Sequence, residues 1–446
     1  SKAAGILPGD CIVAIDGKPF VGKVVSNDEA VHRLKGPKGS KVTVGVIRAG
    51  EKTLRNFTIR RDDIPIKSIQ TAYMLDEKTG YIKVDQFADS TYPEFLVALA
   101  KLGQQGATRL VLDLRGNHGG FVQPAIRMAY EFLPGNRMVF YMQGRHSPRE
   151  NFISDGRGAH QSTPLIVLVD EQTASASEIF AGSMQDNDRA LIVGRRSFGK
   201  GLVQESIEFR DGSMLRLTIA RYYMPSGRCV QKPYTPGDFE EYEMDFINRI
   251  KSGELESGDS IKEHGKKYYT RLGRTVYSEN GITPDVFVPE QTELLTSYVK
   301  EASMKGLLVK YAYVYTNENR KALSELKSWE EVAAWLKKHD VVDKFADYAN
   351  KNGLPRRNLL IKKSHRLLQT YLCGYIIDDL LGRDALTRYL NSDDKCVITA
   401  LKLMNEGKAF PAAPKKPRQD KPKNGKERTA QAGCGVEMQV QPCFFA

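Results

Sequence analysis

From residue 65 to residue 292 short β-branched runs alternate with helix-period segments, and no other feature limits the possible folds as much. Such alternation is the pattern of an α/β layer structure, in which helices cover a sheet. Tyr81-Ile-Lys-Val and Arg109-Leu-Val-Leu-Asp-Leu read as strands, and Tyr92 to Leu102 as an amphipathic helix. A further helix starts near Val122. Leu165-Ile-Val-Leu-Val reads as a buried strand, with a helix beginning at Ser175 after it. Asp211-Gly212 then joins Leu202–Phe209 to Met214–Tyr223 as a hairpin.

The flanks read differently. Residues 1–64 are small-β material, with β-branched runs at Cys11-Ile-Val-Ala-Ile, Lys41-Val-Thr-Val-Gly-Val-Ile and Phe57-Thr-Ile. Asp16-Gly17 and Gly39-Ser40 mark turns, and Asp28 to Leu34 suits a short helix. Residues 293–408 are helical in pattern: Ser328-Trp-Glu-Glu331 is a capping box, and Leu359 to Leu381 carries a broad apolar stripe. Residues 409–446 read as a basic, disordered tail.

Composition excludes several classes. The apolar fraction of 41% in 446 residues leaves room for a sizeable core. No run approaches the roughly 18 apolar residues of a membrane span. The net charge of +12 is locally concentrated between Lys415 and Arg428, but no aromatic residues interleave there, so nucleic acid is not an expected partner. Six cysteines lie far apart with no CxxC pair, so free buried thiols are expected rather than a zinc site; Cys434 and Cys443 could pair. The chain opens Ser1-Lys2-Ala3-Ala4 without a signal-peptide pattern and reads as an internal fragment or a processed chain.

The chemistry concentrates between Thr173 and Gln204. Ser175-x-x-Glu178 is a capping box, which gives Ser175 a structural reading as N-cap. The same position supports a functional one. A serine where a strand feeds a helix is exposed at the sheet's edge, beside unpaired N–H groups and the positive end of the helix dipole. Hydrolase nucleophiles sit at such corners. A serine hydroxyl needs a base, and Lys200, between Gly199 and Gly201, can serve if burial lowers its pKa; otherwise it is a surface lysine. In an extended segment Gln204 shares a face with Lys200 and could fix its amine. Gly194-Arg-Arg-Ser-Phe-Gly199-Lys200 also fits most of a phosphate-binding loop, but Gly201 stands where Ser or Thr would hold magnesium. His118, His146 and His160 are the candidate bases of a rival Ser–His scheme.

Gly5-Ile-Leu-Pro-Gly-Asp10 through Ala14-Ile-Asp-Gly17, Val111-Leu-Asp-Leu-Arg-Gly-Asn-His-Gly-Gly120, Thr173 to Gly182, Gly194 to Gln204 and Gly281-Ile-Thr-Pro-Asp-Val286 occur in that order. With this set the chain resembles the carboxyl-terminal processing (tail-specific) peptidases, a serine–lysine family with an embedded PDZ domain. The resemblance implies Ser175 as nucleophile, Lys200 as general base, Gln204 as the residue that orients the lysine, and the Gly120 and Ala176 amides as oxyanion hole. It implies no metal or organic cofactor. Substrates would be polypeptides with apolar, unstructured C-termini and the setting the periplasm or cell envelope, with the helical region supporting a homodimer or gating substrate. The expected architecture is an α/β peptidase core at 65–292, a mainly-β PDZ module at 1–64 that is truncated at its N-terminus, and an all-helical domain at 293–408. Two other functions fit the same residues: a catalytically silent protein that binds hydrophobic ligands, and a PDZ scaffold that captures protein C-termini.

Overall fold

The computed structural model describes residues 2–21, 26–48, 51–64, 66–235, 239–260, 265–290 and 292–414. The basic segment from Lys415 onward, with Cys434 and Cys443, lies outside the described residues. Near the N-terminus, β1 (Cys11–Ile15), β2 (Lys18–Pro19), β3 (Lys41–Ile47) and β4 (Leu54–Arg60) form an antiparallel sheet in the order β2-β1-β3-β4, with α1 (Asn27–Leu34) between β2 and β3 in the chain. Asp16 and Gly17 both adopt positive φ, 48° and 74°, and this lets β1 turn directly into β2. Ile15, Val42, Val44 and Val46 make the small core. Asp10 accepts two hydrogen bonds from Arg48 at 2.8 Å and one from the Leu7 N–H at 2.9 Å, closing the turn that precedes β1.

The central region contains β5 (Thr71–Met74), β6 (Thr79–Lys83), α2 (Thr91–Gln104), β7 (Arg109–Asp113), α3 (Val122–Phe132), β8 (Met138–Gln143), β9 (Glu150–Ile153), β10 (Leu165–Val169), α4 (Ala176–Asp186) and β11 (Leu191–Gly194). It continues through β12 (Leu202–Glu208), β13 (Met214–Tyr223), α5 (Phe239–Lys251), β14 (Lys267–Tyr269), β15 (Thr275–Tyr277) and β16 (Val286–Phe287). The main sheet runs β16-β11-β10-β7-β6-β5, parallel except where β5 joins β6. A second, antiparallel sheet runs β12-β13-β8-β9.

Helices α6 (Ser297–Met304), α7 (Leu307–Glu318), α8 (Arg320–Leu323), α9 (Trp329–Lys338), α10 (Val341–Lys351), α11 (Asn358–Lys363), α12 (His365–Leu381) and α13 (Arg383–Asn391) follow, and α14 (Lys395–Asn405) ends the regular structure. Ser328 caps α9 by accepting from the Glu331 N–H at 3.2 Å. The apolar stripe from Leu359 to Leu381 is two helices rather than one, broken at Ser364. That residue is wholly buried and donates back to the Leu360 carbonyl at 2.7 Å, a bond that competes with helix continuation.

The chain divides into two compact units, Ser1–Ile66 with Gln291–Asp394 and Lys67–Glu290 with Lys395–Ala446. The second unit explains α14. A parallel sheet must be covered on both faces. Leu110, Leu112, Val167 and Ile192 pack into one core with α2, α3 and α4, while the alternate residues Val111, Ile166, Leu168 and Val193 pack with Cys396, Val397, Ala400 and Met404 of α14. The last helix of the helical stretch thus serves the central sheet. Of the four described cysteines, Cys373 and Cys396 are buried and Cys229 half-buried, whereas Cys11, expected inside, is exposed. No described helix is long and apolar enough to cross a membrane.

Candidate active site

The site lies where the parallel strands β7 and β10 end. After β10 the Asp170 carboxylate accepts from the N–H groups of Gly116, Gln172 and Thr173 at 3.0–3.1 Å, which ties the two loops together. Burial holds the Asp170 carboxyl above its ordinary pKa. Thr173 adds a bond from its hydroxyl to the Leu114 carbonyl at 3.0 Å. Ser175 follows with φ 58° and ψ −118°, directly before α4. Positive φ is costly for a residue with a Cβ, so the surroundings must hold it in place. Ser175 thus sits at a strained strand-to-helix corner.

The loop after β7 is anchored at its root by Asp113. Burial alone would raise that carboxyl's pKa, but the charges of Arg115 and Lys83, with bonds from Arg115 and the Tyr81 hydroxyl, hold it well below the usual range. The loop's middle is clamped by the buried Asn117. Its amide donates to the Val84 carbonyl at 2.9 Å, its side-chain oxygen accepts from Gly119 at 2.8 Å, and its carbonyl accepts from the Ala174 N–H at 3.0 Å. Gly119 (φ 99°) then passes so close to the corner that a Cβ on it would stand 2.8 Å from the Ser175 Cβ. At Gly120 (φ 134°) a Cβ would stand 2.1 Å from the Phe87 carbonyl oxygen. Both positions need glycine. Neither the Gly120 nor the Ala176 N–H donates to a protein acceptor among the described residues. Gly120 is exposed and Ala176 wholly buried, so the two are not equally open to a substrate in this conformation.

Lys200 reaches the same corner from the loop after β11. Glu178, in the first turn of α4, is wholly buried and joins the two. One of its carboxylate oxygens accepts from both the Ser175 N–H (3.0 Å) and the Lys200 N–H (2.8 Å). The other accepts from the Gly199 N–H (2.8 Å) and the Ser197 hydroxyl (2.5 Å). Burial pushes the Glu178 pKa up, against these four donors. Burial, with the charge of Arg216 second, holds the Lys200 amine below its ordinary pKa, while Glu178 opposes the shift. A lysine so shifted is closer to the neutral form that a base requires.

Gln204 is the expected site residue that the structure does not bring in. The strand β12 begins only at Leu202, so its alternation does not extend back to Lys200, and Gln204 is exposed opposite Thr218. A bulge in β13 next to this pair leaves Ile219 without a partner on β12. No hydrogen bond among the described residues joins the Lys200 amine to Ser175 or to Gln204. No hydrogen bond among the described residues joins a candidate histidine to Ser175: His118 and His146 are exposed, and His160 packs on Phe132 with its Nδ1 3.2 Å from the Thr163 hydroxyl. After Lys200 the chain forms β12, not the helix of a phosphate-binding loop. Among the described residues no group of three or more His, Cys, Asp or Glu could hold a metal ion. Sequence reasoning saw Glu178 only as half of a capping box; its second role, toward Lys200, had no local signal.

Residues 78–240 match the peptidase family S41, and the chain carries an S41 peptidase domain. Residues 298–382 match a family of unknown function (DUF8443). The chain is 40% identical over 237 residues to a carboxyl-terminal-processing protease of Synechocystis, covering 52% of this chain and 54% of that one. It is 32% identical over 270 residues to the carboxy-terminal processing protease CtpA of Bacillus subtilis, covering 59% and 56%. It thus spans about half the length of the curated relatives it matches. Among solved structures, a photosystem II D1 C-terminal processing protease aligns with 26% identity and a TM-score of 0.36, over 64% of this chain and 65% of that one.

Proposed function

We propose that the protein is a serine-type endopeptidase that hydrolyses polypeptides near apolar, unstructured C-termini. The observation that carries this reading is the single Glu178 oxygen that accepts from the N–H groups of both Ser175 and Lys200. It ties the backbones of these two residues to one atom, which supports reading them as a pair. In this scheme the neutral Lys200 amine takes the Ser175 proton as Oγ attacks the scissile carbonyl, and the oxyanion forms against the Gly120 and Ala176 amides. The Lys200 ammonium then donates to the leaving amine, giving an acyl-enzyme. Water, with Lys200 again as base, releases the product. Gln204 enters as the residue that orients the lysine, on the strength of the resemblance alone. The scheme uses no metal or organic cofactor. In this reading residues 1–64 are a PDZ module, 65–292 the peptidase core, and 293–408 a helical domain that supports a homodimer or gates access. The setting is the periplasm or cell envelope, on the strength of the resemblance alone.

The test is incubation of an unstructured polypeptide ending in apolar residues with wild type, Ser175→Ala and Lys200→Ala, followed by mass spectrometry. The expected outcome is cleavage by wild type and none by either variant, with folding unchanged. A Lys200→Ala variant that still cleaves would sink the serine–lysine scheme, and a wild type that binds the polypeptide without cutting it would favour a binding protein.

A further inference from the structure

Tyr222 of β13 is fully buried, at 1% exposure, and no step of the scheme above uses it. Its ring packs edge-on against Phe140 at 6.3 Å. Its hydroxyl donates to the Lys200 carbonyl and lies 3.2 Å from the Ser175 carbonyl. Its own N–H donates to the Gly201 carbonyl at 3.0 Å. The Ser175 carbonyl already accepts from Glu178 and Ile179 at the start of α4. The Lys200 carbonyl has no other donor among the described residues. Glu178 therefore gathers the N–H groups of the two expected catalytic residues, and Tyr222 reaches both of their carbonyls.

We infer that the Tyr222 hydroxyl is a positioning group that holds the Lys200 peptide against the Ser175 corner and so keeps the amine in its buried setting. This rests on the reading of Ser175 and Lys200 as nucleophile and base. The reason is mechanical. Gly199 and Gly201 flank Lys200 and give its loop freedom that side-chain packing cannot remove. Lys200 also carries its own positive-charge neighbour, Arg216, so a loosened loop would let the amine swing toward water. A hydroxyl from the packed second sheet fixes the carbonyl side of that loop, as Glu178 fixes the N–H side. Burial keeps the Tyr222 phenol well above its ordinary pKa, so it stays a donor. The titratable or charged groups that act on Tyr222 or Lys200 are Glu178 on α4, Arg216 on β13, Cys229 and Tyr242.

The experiment compares the full chain with Tyr222→Phe and with Phe140→Leu, which loosens the ring's packing but leaves the hydroxyl. The Lys200 amine is titrated by NMR with isotope-labelled lysine, assigned through Lys200→Arg, and melting temperature and pH-dependent kcat and KM are measured alongside. Tyr222→Phe should raise the Lys200 titration midpoint toward the ordinary lysine value and move the acid limb of kcat to higher pH. It should lower kcat by about tenfold to a hundredfold with KM nearly unchanged. Phe140→Leu should lower the melting temperature more and move the midpoint less. An unmoved midpoint in Tyr222→Phe, or an equal shift in Phe140→Leu, overturns the inference. The titration needs no turnover, so a wild type that cleaves nothing counts against the proposed function while the midpoints still decide the role of Tyr222.

Discussion

Strand β10 and the hairpin β12–β13 both carry large apolar side chains and place them in opposite environments. All five residues of Leu165–Val169 are fully buried between β7 and β11. In the hairpin Ile207 is 43% exposed, Leu217 40% and Met214 54%. The side chains compared are all apolar, so residue type does not separate them. What separates them is the layer each joins: β10 is the interior of a parallel sheet with helices on both faces, while β12 is an edge strand with no neighbour beyond it. The candidate site lies at the border, with Ser175 on the rigid side and Lys200 just before the hairpin. Glu178 and Tyr222 both reach across it.

Removing the crossing should break the comparison most sharply. Glu178→Ala leaves three N–H groups and the Ser197 hydroxyl without their acceptor. The expected cost is about 3–5 kcal/mol in chemical denaturation and at least about a hundredfold in kcat/KM. A variant as stable as wild type would mean that the border holds without the carboxylate. Next, Ile166→Ala, which empties a site between β10 and α14, should destabilise by about 2–5 kcal/mol. Gly120→Ala forces a Cβ onto the Phe87 carbonyl and displaces the candidate oxyanion donor. Peptide cleavage should fall by about 10²-fold or more, with a smaller change in melting temperature.

Arg216→Gln probes the hairpin side. After burial, the Arg216 charge is the second cause of the depressed Lys200 pKa. A base works only when deprotonated, so activity rises as pH rises through that pKa. Removing the positive charge raises the pKa and moves the acid limb to higher pH. Arg216 is exposed, so added salt should shrink the difference between variant and wild type. A pH profile unchanged at low salt would remove Arg216 from the account. Least of all, Ile207→Ala should change stability by less than about 0.5 kcal/mol, because the hairpin side chain is already in water.

How much of this was legible in advance depends on the range of the interaction involved. The strand over Leu165–Val169, the corner at Ser175 and the turn at Asp16-Gly17 follow from neighbouring residues, since backbone propensity and periodicity act within a few positions. The stripe from Leu359 to Leu381 is helical as expected, but the break between α11 and α12 is not written in it, because it depends on the burial of Ser364. Gln204 was aligned with Lys200 by strand alternation, but β12 starts too late for that alternation to reach the lysine.

By itself the sequence determined the α/β order of elements, the serine at a helix start and a lysine held between glycines. These are local choices of residue type and spacing. Only the tertiary structure decided that α14 returns to cover the second face of the central sheet, and that the Glu178 carboxylate and the Tyr222 hydroxyl meet the backbone of both Ser175 and Lys200. The physical reason is that a buried polar group must find partners, and those partners are selected by packing across distant segments rather than by adjacency in the chain.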